Sequence, residues 1–397
     1  MCALSDGSLY PALHKLEPGA TIEPKGVHMI ERREFGKTLV GGMVSTTAVA
    51  DAAVGKERRA RPAKNLLMHV GADYHCVAGG ARADLTGRAN LEYNLRHGVK
   101  HLTAQMRNVP ADGSWSLDEL KRMRDNCDAA GFVLEAIRMD SEYILLRPGP
   151  ERDRRLAAIV GNIQKASQVG VKVITHHWTV IPIRRNTEVR GRGGTTYAAF
   201  QLEDDWKNLP IGKAGRVSSD EYWERISHFL HTVIPVCKQY DVKMAAHPYD
   251  PPGLPFGYEG AENWDSPSIF DAYKRYEAIV DSPYNGFQLC LGTTAEGLRK
   301  PATEVLPIVE YLGSRGKIHQ IHMRNIRGGL YNFAEVYPDE GEMDFLKIMR
   351  ILRDVQFSFS ICPDHMPSHP DDPGKLQAYA FGYGYINALI HAVNSEI

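Results

Sequence analysis

Four strand-like runs in the second half of the chain each close on a side chain able to hold a metal ion. They are "KMAAH" ending on His247, "FQLCLG" with Cys290 near its end, "IHQIHM" with His322, and "FSFSICPDH" with Asp364. Singly, each has an ordinary explanation: a hydrogen-bonded core histidine, a packed cysteine, an aspartate that starts a turn. Four at the same place on four successive strands are harder to explain that way. Two imidazoles, a thiolate and a carboxylate suit Zn²⁺, Fe²⁺ or Co²⁺, and a carboxylate with open positions also admits Mn²⁺. His365 follows Asp364 directly, which would place an imidazole beside anything bound at such an ion, able to take or give a proton near neutral pH. Arg324 and Asn325 follow His322, and an arginine there offers a fork for a substrate carboxylate. His319, three residues before His322, should face the other way and serve structure.

Those residues need elements that bring strand ends together. From Asn65 onward, short apolar or β-branched runs appear at 66–70, 99–105, 132–137, 171–177, 243–247, 287–292, 317–323 and 357–362. Between them lie helical patterns such as "SLDELKRMRDNCDAAG" and "SDEYWERISHFLHTVIPVCKQY", several closed by glycine, as at Gly131 and Gly170. Eight alternating units predict an α/β fold, a (β/α)₈ TIM barrel, whose strands deliver their C-terminal ends to one rim. The surplus length lies at 184–217, after the fourth strand, and at 324–342, after the seventh. Long loops on that rim are expected to act as lids.

The bulk properties narrow the class. The chain has 397 residues, 43% hydrophobic and 24% charged, with a formal net charge of −1. That balance gives no reason to expect nucleic acid as a partner, and no apolar run approaches the ~20 residues of a membrane span. Its six cysteines are scattered without a C-x-x-C pair, which excludes a disulfide scaffold. Residues 29–50, "MIERREFGKTLVGGMVSTTAVA", carry Arg32-Arg33, then Phe35 and Lys37, then a mildly apolar stretch closing on Ala48-Val49-Ala50. This is the pattern of a twin-arginine export signal, pointing to a periplasmic or exported protein, with a cytoplasmic one as the alternative. Residues 51–64 read as a polar linker. The expected organisation is a leader and linker over 1–64 and a catalytic barrel over 65–397.

From about residue 243, "KMAAHPYDPP", "QLCLGT", "IHQIHMRNI", "FAEVYPDEGEMDFLKIMRILRD" and "CPDH" resemble the mannonate dehydratase family of sugar-acid lyases, a likeness that weakens but continues back to about 118. The resemblance implies a barrel like the xylose isomerases, which removes water from D-mannonate with a divalent ion, Mn²⁺ first. By that likeness His247, Cys290, His322 and Asp364 match the metal ligands and His365 a catalytic acid/base. Arg324 and Asn325 match an Arg-Asn pair after the third ligand. The family's Tyr-Asp-Arg aligns with Gln377-Ala378-Tyr379, so Tyr379 is the displaced candidate for its catalytic tyrosine. Paired histidines of an early loop are missing from "AQMRNVPADGSW", an asparagine is missing from "HHWTVIP", and Cys362 stands where an arginine is usual. His177 is the candidate to serve the substrate side there. The implied partner is a small sugar acid, and a homo-oligomer is compatible. Two other functions fit the same residues: a metal-dependent sugar isomerase or epimerase, and an exported barrel that binds sugar or metal without catalysis.

Overall fold

The computed structural model describes residues 68–78, 84–140, 142–179 and 184–397. The export-signal stretch and the boundary at residue 64 lie outside the described residues. Eight parallel strands close a barrel: β1 (His69–Ala72), β2 (His101–Gln105), β3 (Val133–Arg138), β4 (Val173–His177), β7 (Lys243–His247), β8 (Asn285–Cys290), β9 (Ile318–Met323) and β12 (Ser360–Pro363). Their order around the wall is β1-β12-β9-β8-β7-β4-β3-β2, so the first strand pairs with the last. All eight expected strands are present. The first begins later than expected, at His69, and β8 stops at Cys290. There the Sγ accepts a hydrogen bond from Thr293 N (3.3 Å), starting the short helix Leu291–Glu296.

Local chemistry explains the helices that pack outside the barrel. Ser116 caps Leu117–Ala129, and Ser218 with Glu221 forms a reciprocal capping box on Ser219–Tyr240. Gly131 and Gly170 take φ of +73° and +74° just past their helices, the left-handed turn that a side chain would resist. Ile226, Phe229, Leu230 and Val233 recur at helical spacing on the inner face of Ser219–Tyr240 and are fully buried. Among the described residues no helix is long and apolar enough to cross a membrane.

The two surplus segments are not independent loops. β5 (Thr187–Arg190) and β6 (Thr196–Gln201) from the first pair with β10 (Asn325–Gly329) and β11 (Asn332–Val336) from the second in one antiparallel sheet, ordered β10-β11-β6-β5. A lone hairpin buries too little to hold together, and joining the two creates a face on each side. Phe200 opposes Phe333 with ring centroids 5.7 Å apart, while Tyr197, Ala199, Ala334 and Val336 bury the other face.

A line of polar groups runs inside the barrel. The Gln288 carboxamide donates to Gln320 Oε1 and lies 2.8 Å from His322 Nε2. Gln320 Nε2 donates to Thr103 Oγ1 and to Ser360 Oγ (3.1 Å), and the Ser360 backbone N–H donates to Glu135 Oε1 at 2.9 Å.

Candidate metal centre

The C-terminal ends of β7, β8 and β9 place one ligand atom each from His247, Cys290 and His322 within 4.8 Å of one another, all three residues buried. Asp364, just past β12, joins them: its Oδ2 lies 3.1 Å from Cys290 Sγ and its Oδ1 3.6 Å from His322 Nδ1. The four residues singled out in the sequence therefore share one pocket.

Their hydrogen bonds suit them to a cation. His247 Nδ1 donates to the Pro248 carbonyl (2.7 Å), which leaves Nε2 as a lone pair. Asp73 Oδ2 lies 3.1 Å from His322 Nε2, and His322 Nδ1, deeply buried, has no hydrogen-bond partner among the described residues. An orphaned imidazole nitrogen aimed into a pocket with a thiol and a carboxylate fits a divalent ion of the transition series. Burial, aided by His322, holds the His247 pKa down to about 3, so the ring is neutral. Burial, with Asp364 beside it, raises the Cys290 thiol well above its ordinary value. Burial would also raise Asp364, but His365 and Arg324 overcome it and keep the carboxyl well below the usual range.

The first strand contributes groups that the sequence reading missed. Asp73, Tyr74 and His75 follow β1, and His75 Nε2 lies 3.3 Å from Asp364 Oδ1 while its Nδ1 lies 3.0 Å from Asp73. Tyr74 Oη is 3.2 Å from His177 Nε2, and the Arg138 guanidinium sits 4.4 Å above the Tyr74 ring. His177 stacks on His247 with centroids 4.1 Å apart, so this substrate-side candidate does reach the site. Its neighbour His176 turns away, into an apolar layer against Trp178 and Phe229. His319 is buried, with Nδ1 3.3 Å from the Met244 carbonyl, and belongs to none of these clusters.

His365 is oriented by the loop sheet. Glu335 Oε1, on β11, lies 2.8 Å from His365 Nδ1, which turns Nε2 toward Asp364, 3.8 Å from its Oδ1. Arg324 Nη1 crowds the same Nδ1 at 2.6 Å. Arg324 itself is buried and its fork is occupied: Nη2 donates to Thr293 Oγ1 (2.7 Å) and Glu296 Oε1 (2.7 Å), and Nη1 to Glu335 (3.0 Å). It meets protein carboxylates where the sequence suggested a substrate's. Asn325 is likewise turned inward, donating to the Pro338 and Met343 carbonyls (2.9 and 3.1 Å) and so latching the 338–343 turn. Tyr379 is buried on the helix Leu376–Asn394, and burial, with the charges of Asp73 and Asp364, raises its pKa well above the ordinary value.

The fold and site together are those of a closed eight-stranded α/β barrel with nitrogen, sulfur and oxygen donors gathered at the strand C-termini, a candidate metal centre. Against known proteins, a profile of the D-mannonate dehydratase (UxuA) family matches residues 204–396. The mannonate dehydratase of Thermotoga neapolitana is 27% identical over 340 residues, covering 75% of this chain and 91% of that protein. That of Streptococcus suis is 24% identical over 332 residues, covering 74% and 87%. The crystal structure of a Streptococcus suis mannonate dehydratase superposes with a TM-score of 0.68 at 22% identity, covering 83% of this chain and 95% of that one. A xylose isomerase-like barrel from Mycobacterium smegmatis in complex with magnesium shares the fold at a TM-score of 0.52 and 13% identity. The chain is thus similar to the mannonate dehydratases, a distant likeness in sequence and the same barrel in fold.

Proposed function

We propose that the protein is a metal-dependent hydro-lyase that removes water from D-mannonate or a related aldonate to give a 2-keto-3-deoxy acid. The observation that carries this is the convergence of His247, Cys290, His322 and Asp364 beside an imidazole, His365, which Glu335 orients. A divalent ion bound there supplies electrostatic stabilisation for the negative charge that builds up next to the substrate carboxylate. His365 Nε2 takes the C2 proton. The C2–H electron pair becomes the C2–C3 double bond as the C3–O bond breaks, and the hydroxide leaves as water with a proton from a tyrosine. The resulting enol tautomerises to the 2-keto acid. Tyr379 or Tyr74 would be that donor, Tyr74 being supported by its 3.2 Å approach to His177. His177, next to Tyr74, serves the substrate, and Arg324 acts by holding Glu335, Glu296 and Asp364 in register. The twin-arginine-like stretch at 29–50 supports export of the folded, metal-loaded protein.

The test incubates Mn²⁺-loaded protein with a panel of aldonates and aldoses. Keto-deoxy acid is the expected product. A ketose or an epimer would instead assign a proton-shuttling isomerase, and binding without turnover a non-catalytic barrel. His365→Asn should lower kcat by about 10³-fold while metal content stays the same. Loss of the metal in that variant would show that His365 is a ligand and not the acid/base.

A further inference from the structure

The opposite end of the barrel carries a second cluster. His69 at the start of β1, His101 at the start of β2 and Glu135 on β3 place one ligand atom each within 4.8 Å of one another. His69 Nε2 and His101 Nδ1 both lie 2.7 Å from the same carboxylate oxygen, Glu135 Oε2, and the two rings are stacked with centroids 3.5 Å apart. The imidazoles are about a quarter exposed (25% and 27%) and the carboxylate is nearly buried (9%), so the group opens to solvent on one side.

The backbone is built to present that carboxylate. Along β2 and β3, Leu102 pairs with Leu134 but Thr103 pairs with Ala136, so Glu135 is the extra residue of a bulge. Bulges are rare in parallel pairs and serve to re-aim a side chain. The other carboxylate oxygen, Oε1, is tied by the Ser360 backbone N–H at 2.9 Å, which fixes Oε2 toward the two rings. A carboxylate anchored through one oxygen, with two imidazole nitrogens held at the other, is the face of a two-histidine, one-carboxylate ligand set whose remaining positions water can fill.

We propose that the N-terminal mouth of the barrel is a second divalent-metal site, made by His69, His101 and Glu135 and selective for transition ions that favour imidazole, such as Zn²⁺ or Co²⁺. Its ligands come from three neighbouring strands. The first of these, β1, is held by only two ladder positions to each of its neighbours, β12 and β2. An ion at this point clamps the least-paired strand of the wall, far from the rim where the chemistry is proposed.

The test uses the full-length protein, stripped with chelator and dialysed to equilibrium against Co²⁺, with metal counted by mass spectrometry. Two equivalents per chain are expected. Cys290→Ser with His322→Ala should remove the one that shows thiolate-to-cobalt charge transfer and leave the other. His101→Phe, which keeps a ring in the stack, should remove the equivalent without that band and leave the charge-transfer spectrum unchanged. If the centre at the rim is the part that fails, wild type will hold one equivalent, lost in His101→Phe and retained in the Cys290 variant, and the proposal stands. The proposal is overturned if the Cys290/His322 variant holds no metal, or if a cooperatively melting His101→Phe variant holds as much as wild type. Should His101→Phe not fold, the count in the Cys290/His322 variant decides alone.

Discussion

At the scale of single residues, His176 and His177 show how one step along a strand separates two roles. His177 turns to the site, and His176 is buried among aromatic rings with neither ring nitrogen hydrogen-bonded among the described residues. Burial holds the His176 pKa down to about 3. The sign follows directly: between its ordinary value of 6.5 and about 3 the unfolded chain takes up a proton that the native one refuses, so stability is lost as the pH falls. From pH 7 to 5 the loss is roughly 2 kcal/mol. His176→Phe, which removes two unsatisfied polar atoms, should flatten that part of the urea-denaturation profile and cost little at pH 7. A profile as steep as wild type's would place the acid sensitivity elsewhere. The candidate ligands at β7, β8, β9 and β12 were legible because a residue at a strand's end is read from local pattern alone. Asp73 and His75 obey the same logic and were missed for a local reason. With the first strand expected to end at Val70, "ADYHC" fell in a loop, whereas in the structure β1 runs to Ala72 and the pair stands at its end.

The elements tell a different story, because the loop sheet has no signature within either segment. "TYAAFQ" and "NFAEV" read as short alternating runs, and only their pairing, which joins distant parts of the chain, makes a sheet of them. Glu335 and Arg185 were for that reason illegible as site residues. Arg185, just before β5, donates from Nε to Glu335 (2.7 Å) and from Nη2 to Asp250 (2.8 Å), fastening the sheet to the barrel rim. Buried charge networks of this kind fail steeply when one member is removed. The seam between the hairpins rests on Phe200 and Phe333, so Phe200→Ala should open the sheet locally. Limited proteolysis within 184–201 is the expected readout, with the barrel's Tm moving by less than about 2 °C. A large fall in Tm would mean that the sheet and the barrel melt as one unit.

For the whole molecule, the fold was readable almost throughout, since eight strand–helix alternations admit few arrangements. The polar line through its interior was not, because Gln288, Gln320, Thr103 and Ser360 are ordinary residues until the barrel sets them side by side. A ligand that binds only the native state shifts unfolding by mass action. Saturating the rim centre with Mn²⁺ at a hundredfold excess over Kd should therefore add about 3 kcal/mol, or roughly 4 °C in Tm for a domain of this size. Chelator should reverse the shift, and an unchanged Tm would argue that His247, Cys290, His322 and Asp364 do not grip an ion. Another consequence comes from the pairing of β1 with β12, where His69 stands opposite Ser360. On the ribosome, the opening strand finds β2 early but must wait for nearly all the remaining chain to be synthesised before its other neighbour, β12, exists. Any address written at the N-terminus is thus on display long before the cargo it labels can assume its shape.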